Sequence, residues 1–160
     1  MIILGIDPGL QVCGYAVVET GRGDDKLVEA GTFKTDGKKE LAERLSQIAA
    51  DITEILEKHT PSIVAVEELY SNYKHPKTAI LMGHARGVIL QRSIEAGAEV
   101  RSFAATRIKK SLTGNGRASK EQIQRTIQRV LGLLDMPEPA DVADAIAIGL
   151  CCANEKRIEI

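Results

Sequence analysis

The sequence predicts an α/β fold, a mixed five-stranded sheet with helices packed on its faces. Two observations carry that prediction. The first third of the chain holds three strand-like runs joined by short Gly-containing links, the pattern of an antiparallel meander. The rest alternates apolar strand-length runs with segments of helical periodicity, the pattern of β/α units. Residues 2–7 form the first run, IILGID, and Pro8-Gly9 is its turn. Residues 12–19 and 26–34 supply the second and third strands. From 38 to 58, Leu41, Leu45, Ile48, Ile52, Ile55 and Leu56 recur at helical spacing, and Thr60-Pro61 stops that helix. Residues 62–68 are the fourth strand.

The segment YSNYKHPK, 70–77, is polar and lacks acids, as a loop would be. A helix over 76–96 opens on Pro76, a position where proline is tolerated. Gly83 and Gly87 lie four apart inside it and suggest close approach of another backbone. Residues 98–103 are the fifth strand and 104–112 a short helix. Thr113-Gly114-Asn115-Gly116 breaks the chain. Ser119 with Gln122 reads as a capping box opening a helix to about 133. Pro137 and Pro139 end that region, a last helix runs over 140–154, and a polar tail follows.

The 160 residues suit one domain, 1–160. Hydrophobic content is 44% but aromatic content only 3%, with no Trp, so Ile, Leu, Val and Ala must fill the core. Cys13, Cys151 and Cys152 make no C-x-x-C motif and no even framework, which suits a reducing cytosol and small apolar packing. His59, His75 and His84 share no zinc-ligand spacing. His75 stands in the polar loop, where it can touch nucleic acid, and His84 reads as helix packing. The start has no basic region before its short apolar run, and no stretch reaches membrane-span length. The expectation is a cytoplasmic protein with no membrane contact.

Four carboxylates stand where carboxylates are awkward. Asp7 closes the first apolar run and Glu67 closes Ile63-Val64-Ala65-Val66. Asp141 and Asp144 punctuate a helix otherwise rich in Val, Ala, Ile, Leu and Cys. A carboxylate at the end of a buried strand is costly unless something positive meets it, and hard divalent cations take oxygen ligands. Asp141 and Asp144 are three apart and share a helix face. As first-turn acids they also suit the positive helix end without any metal, yet that does not explain two acids on so apolar a helix. Strand parity leaves Glu67 and Glu68 as alternatives, because they point to opposite faces. Glu19 and the Asp24-Asp25 pair sit by turns and read as solvated.

Net charge is −1, but its distribution is uneven. From Leu69 to Arg129 there are twelve Lys/Arg against three acids, +9, leaving nine against nineteen, −10, elsewhere. A basic middle beside an acidic all-oxygen cluster points to metal-assisted cutting of nucleic acid. Solvated helix faces are the bland reading of the same charges.

These segments resemble the RuvC family of Holliday-junction resolvases over essentially the whole chain. The likeness runs through IILGIDPG and GYAVVE, VAVEELY, GHARGV, AATRIKK, GRASKEQI and ADVADAIAIG. D-P-G alone also opens actin-like ATPases. The ordered set D-P-G, V-E, D-x-x-D-A is specific. The resemblance implies a ribonuclease-H-like fold and a homodimer. It implies an endonuclease using two Mg²⁺ per site, or Mn²⁺, that nicks four-way junction DNA symmetrically. It assigns Glu67 rather than Glu68, together with Asp7, Asp141 and Asp144, as catalytic metal ligands; some relatives carry His at the position of Asp141. Tyr70 matches a position where relatives often have Phe, and an aromatic there can stack on an unpaired base. Lys109 and Lys120 match basic positions near the site. Arg107, Lys110 and Arg117, with Lys74 from the basic loop, are expected DNA-backbone contacts. A branch-migration helicase complex is the expected partner. The other readings are an RNA-processing nuclease of the same fold, a non-cutting junction-binding scaffold, which loss of an acid would favour, and an actin-like ATPase. The ATPase needs a second phosphate loop and about twice the length, and the chain has neither.

Overall fold

The computed structural model describes residues 1–70 and 75–159. Its strands are β1 (Ile2–Asp7), β2 (Val12–Glu19), β3 (Lys26–Lys34), β4 (Ile63–Glu67) and β5 (Glu99–Phe103). Its helices are α1 (Leu41–His59), α2 (Pro76–Glu95), α3 (Ala105–Thr113), α4 (Lys120–Leu131) and α5 (Ala140–Ile158). The strands form one open sheet in the order β3-β2-β1-β4-β5. β1, β2 and β3 pair antiparallel, as the short Gly-containing links require, while β4 joins β1 and β5 joins β4 in parallel. The expected mixed five-stranded sheet is the one observed.

The period-two alternation of β1 and β4 divides the interior into two layers. Ile3, Ile63 and Ala65 pack with α3, α4 and α5 on one face of the sheet. Leu4, Ile6, Val64 and Val66 pack with Ile48, Ile52, Ile55 and Leu56 of α1 and with Ala85 and Ile89 of α2 on the other. With both faces covered, the middle strands carry no polar side chain until each reaches its last residue, Asp7 and Glu67. α5 is buried nearly all round from Val142 to Ala153 because it lies on the sheet under α3 and α4, so it shows no amphipathic stripe.

The capping box of α4 is present: Ser119 Oγ accepts from Gln122 N at 3.2 Å and Gln122 Oε1 accepts from Ser119 N at 2.8 Å. Four expectations need correction. α1 starts at Leu41 rather than 38, since Asp36 Oδ1 accepts from Lys38 N at 2.9 Å and makes a turn there. α5 continues to Ile158 through the stretch expected to be a tail, with Lys156 and Arg157 in its last turn, where the helix dipole favours cations. Lys156 pairs with Glu159 at 3.0 Å and Arg157 with Asp25 at 2.5 Å. Asp25 is therefore buried rather than solvated. His84 is exposed on α2, not packed.

Candidate active site

The four acids meet at one end of the sheet. Asp7 follows Ile3 and Gly5 in parity, and Glu67 follows Ile63 and Ala65, so both point to the face that carries α5. β1 and β4 are adjacent and parallel, with Ile6 opposite Val66, which brings their last residues side by side. Glu68 lies beyond the strand, exposed, with its backbone N–H on the Phe103 carbonyl at 2.9 Å. α5 begins over the same end, and its first two turns bear Asp141 and Asp144. All four are half-buried.

Two glycines set the height of α5 above the strands. A Cβ on Gly5 would run into the Ala145 carbonyl oxygen and the Gly149 backbone nitrogen. A Cβ on Gly14 would run into the carbonyl oxygen of Asp141 and come within 3.2 Å of its Cβ. Gly14 is the β2 residue paired with Asp7, so the glycine that fixes Asp141 stands directly beside Asp7. The Cys13 thiol ties down the loop after Asp7, donating to Gly9 O at 2.7 Å and accepting from Gly9 N at 3.3 Å. Burial pushes that thiol up to about 12, so it stays protonated and acts as a clasp.

The electrostatics are those of crowded anions. Burial first, then the charges of Asp144, Glu67 and Asp141, push the Asp7 carboxyl up to about 7, with Lys120 opposing. Glu67 is raised by burial and by Asp144, against Lys109 and Lys120. Asp144 is raised by burial; Lys120 opposes this more strongly than Asp141 adds to it. Lys120 Nζ lies 3.9 Å from Asp144 Oδ2 and is largely exposed. Among the described residues, no three His, Cys, Asp or Glu side chains stand close enough to hold one ion as placed. The acids converge to interacting distance. A purely carboxylate donor set with an excess of negative charge fits hard divalent cations such as Mg²⁺ or Mn²⁺.

This predicts a pH effect with a definite sign. Asp7 is held above its ordinary value of 3.8, so between about 4 and about 7 the folded chain binds more protons than the unfolded one. Without divalent metal, stability therefore falls as pH rises through that window and levels off above it. Asp7→Asn removes the loss, and at pH 8 in chelator it should melt higher than the parent chain. Adding Mg²⁺ should raise the parent's melting temperature and leave the variant's almost unchanged. A variant that melts lower in chelator at pH 8 contradicts the crowded-anion picture.

Two clefts border the acids. One, between α3, α4 and α5, is lined by Glu67 and Asp144 together with Lys109 and Lys120. The other is lined by Asp7 and Asp141 with Gln11, Arg44, Thr78 and Met82. Of the other expected nucleic-acid contacts, Tyr70 is 76% exposed, and Lys110 and Arg117 are exposed. Arg107 pairs with Glu155 at 2.5 Å and sits 5.6 Å from the centre of the Phe103 ring. Lys74 lies outside the described residues. Arg92, Arg101 and Arg125 pair with Glu95, Glu99 and Glu121, the basic middle's own three acids.

One supporting residue carries no sequence signal beyond its place beside the inward stripe of α2. Arg86 donates from Nε to the Glu67 carbonyl at 3.0 Å and from Nη2 to Ser102 Oγ at 2.7 Å, holding the end of β4.

Known proteins resemble this chain in sequence and fold. A sequence profile described as crossover junction endodeoxyribonuclease RuvC matches residues 3–152. The crossover junction endodeoxyribonuclease RuvC of Rhodopirellula baltica is 50% identical over 149 residues, 93% of this chain and 84% of that protein. The solved structure of Thermus thermophilus RuvC superposes with a TM-score of 0.91 at 34% identity, covering 99% of this chain and 97% of that one. T. thermophilus RuvC in complex with Holliday junction substrate matches with a TM-score of 0.89 at 32% identity, covering 99% and 96%. With nearly its whole length matched by the profile and half of the aligned residues shared with a relative, the chain belongs to the RuvC family of crossover junction endodeoxyribonucleases.

Proposed function

We propose that this chain is a structure-selective DNA endonuclease of recombination and repair that resolves four-way junctions by symmetric paired nicks. The observation that carries the proposal is the convergence of Asp7, Glu67, Asp141 and Asp144 at one sheet end beside a cleft bearing Lys109 and Lys120. Asp7, Glu67, Asp141 and Asp144 would hold two Mg²⁺ ions, with Mn²⁺ as a substitute. Such a pair supplies an activated water and stabilises the leaving oxygen. The chain's own groups do the rest. Lys109 and Lys120 draw a phosphate to the acids and offset their charge. Half-burial lowers the local dielectric and strengthens the charge interactions in the site. Exposed Tyr70 stacks on a base freed at the junction centre. Lys110 and Arg117 contact the DNA backbone, and Lys74 and Arg107 add to them, Arg107 by exchanging Glu155 for a phosphate.

A four-way junction has near two-fold symmetry, and clean resolution needs two equivalent cuts. A two-fold dimer supplies two identical sites. The outer side of α2 suits the contact: Ile80 and Ile94 are more than 60% exposed. A Cβ on Gly87 would meet open space, and one on Gly83 would meet nothing closer than Leu69 Cδ1 at 3.9 Å, so neither glycine presses on its own sheet. Light scattering at micromolar concentration should report about twice the 17.3 kDa chain mass. The protein works in the cytoplasm as a single nuclease domain beside a branch-migration helicase complex. Among the described residues no helix is long and apolar enough to cross a membrane.

Binding should be selective for branched DNA and sensitive to salt. A basic surface releases counterions, and affinity should fall by a factor on the order of 10³ between 50 and 200 mM salt if about six phosphates are contacted. A gel-shift competition with linear duplex of matched length tests this. Equal affinity for the duplex contradicts junction selectivity.

A further inference from the structure

The cleft on the Asp7 side of the acids has a cation with no assigned task. The two clefts open toward opposite helix layers, one among α3, α4 and α5 and the other toward α1 and α2. Each takes two of the four acids, so the two clefts together offer a strand with one phosphate over the acids a path on either side. The first cleft meets that polyanion with Lys109 and Lys120. In the second, Arg44 is the cationic side chain among the described lining residues.

Arg44, like Arg86, is held by neutral acceptors, whereas five other arginines meet carboxylates. Arg92, Arg101, Arg107, Arg125 and Arg157 each pair with a carboxylate. Arg44 instead donates from Nε to Thr35 Oγ1 at 3.0 Å and from Nη2 to the Leu10 carbonyl at 3.4 Å. Thr35 Oγ1 in turn donates to the same Leu10 carbonyl at 2.5 Å. The guanidinium is thus held half-buried by neutral acceptors, with its charge not neutralised by any carboxylate among the described residues. A planar fork fixed in place is preorganised for a phosphate. Purely structural tethering of the loop after Asp7 does not require a full positive charge there.

We propose that the cleft lined by Asp7, Asp141, Gln11, Arg44 and Thr78 carries the cleaved strand past the scissile phosphate, and that Arg44 binds the next phosphate on that flank. The inference rests on the junction-nuclease reading above. Arg44→Gln, which keeps a donor for Thr35 or Leu10, should lower the slope of log affinity against log salt by about one and weaken junction binding about tenfold. Arg125→Gln, on the outer side of α4, is the control and should change neither. The second arm is read first in the parent protein, where it does not depend on a variant folding, and then in Arg44→Gln. A neutral methylphosphonate placed singly on either side of the scissile bond should weaken binding on both flanks. On the Arg44 flank alone, the penalty should vanish in Arg44→Gln. If Lys109→Gln lowers the salt slope while Arg44→Gln does not, the Arg44 assignment is overturned and the nuclease reading stands. If the parent protein binds junctions no better than duplex and neither variant changes the slope, the nuclease reading itself fails. A methylphosphonate without effect on one flank of the parent also overturns the assignment.

Discussion

Asp144→Asn should leave junction binding intact and reduce cutting by a factor on the order of a thousand or more. The substitution keeps the side chain's size and removes one anionic oxygen donor from a set of four. It also removes negative charge facing a polyanion, so affinity should hold or rise. Asp144 raises both Asp7 and Glu67, which means that its neutralisation should lower the other two carboxyls toward their ordinary range. Lys120, 3.9 Å away, loses its partner at the same time and becomes freer to hold a phosphate. The experiment measures single-turnover cleavage and gel-shift affinity on one preparation. Cutting at the parent rate would remove Asp144 from the site. Loss of binding together with cutting would instead mean that the substitution had damaged the fold.

The second large effect belongs to a residue with no chemistry of its own. Gly14→Ala places a methyl group against the carbonyl of Asp141, which is backbone and cannot swing aside. α5 must lift at its first turn, or β2 must sink. Overpacking of this kind costs about 1–3 kcal/mol, and more where backbone is the obstacle. The cost should appear in the melting temperature, but the sharper consequence is geometric. Because Gly14 sits opposite Asp7 in the β1–β2 register, the displacement falls between Asp7 and Asp141. Even a shift of about 1 Å at such a site costs about a hundredfold in rate. The Mg²⁺ concentration for half-maximal cleavage should rise, while junction affinity, carried by surface cations, should change little. Gly37→Ala, where a Cβ meets nothing within 4 Å, is the matched control for adding a methyl group and should fold normally. Unchanged metal dependence in folded Gly14→Ala would show that α5 tolerates the lift and that Gly14 does not position the acids.

The strands and helices were legible because each carries a strong local signal. β1 and β4 are uninterrupted apolar runs closed by an acid, and α1 repeats its apolar residues at helical spacing. The four acids were legible for the same reason: each interrupts an apolar stretch that has no use for charge. What strand parity alone could not choose was the face, which only the family resemblance assigned. Glu67 and Glu68 point opposite ways, and the packing of Ile63 and Ala65 under α5 puts Glu67 on the face of Asp7. The supporting residues were silent because their work is done through backbone atoms. Arg86 holds a carbonyl of Glu67, Cys13 clasps Gly9, and Arg44 reaches Leu10 across more than thirty residues of chain. None of these pairings leaves a spacing rule in one sequence. Asp25 and the 155–158 segment were misread for a related reason. An ion pair between residues 132 positions apart buries the aspartate and extends the helix, and no local pattern announces it. The surplus of cations from Leu69 to Arg129 overstated the free positive surface, since Arg101, Arg107 and Lys120 meet acids from outside that segment, Glu159, Glu155 and Asp144.

The most direct measurement uses a synthetic four-way junction labelled in turn on each of its four strands, incubated with the protein and Mg²⁺. Two strands of like polarity should be nicked at symmetry-related positions, in equal amounts and in the same molecules, yielding two ligatable linear duplexes. Chelator should abolish the reaction, and Mn²⁺ should restore it. Cutting confined to one strand, equal cutting of linear duplex, or paired nicks that persist in chelator would contradict a symmetric, metal-dependent junction nuclease.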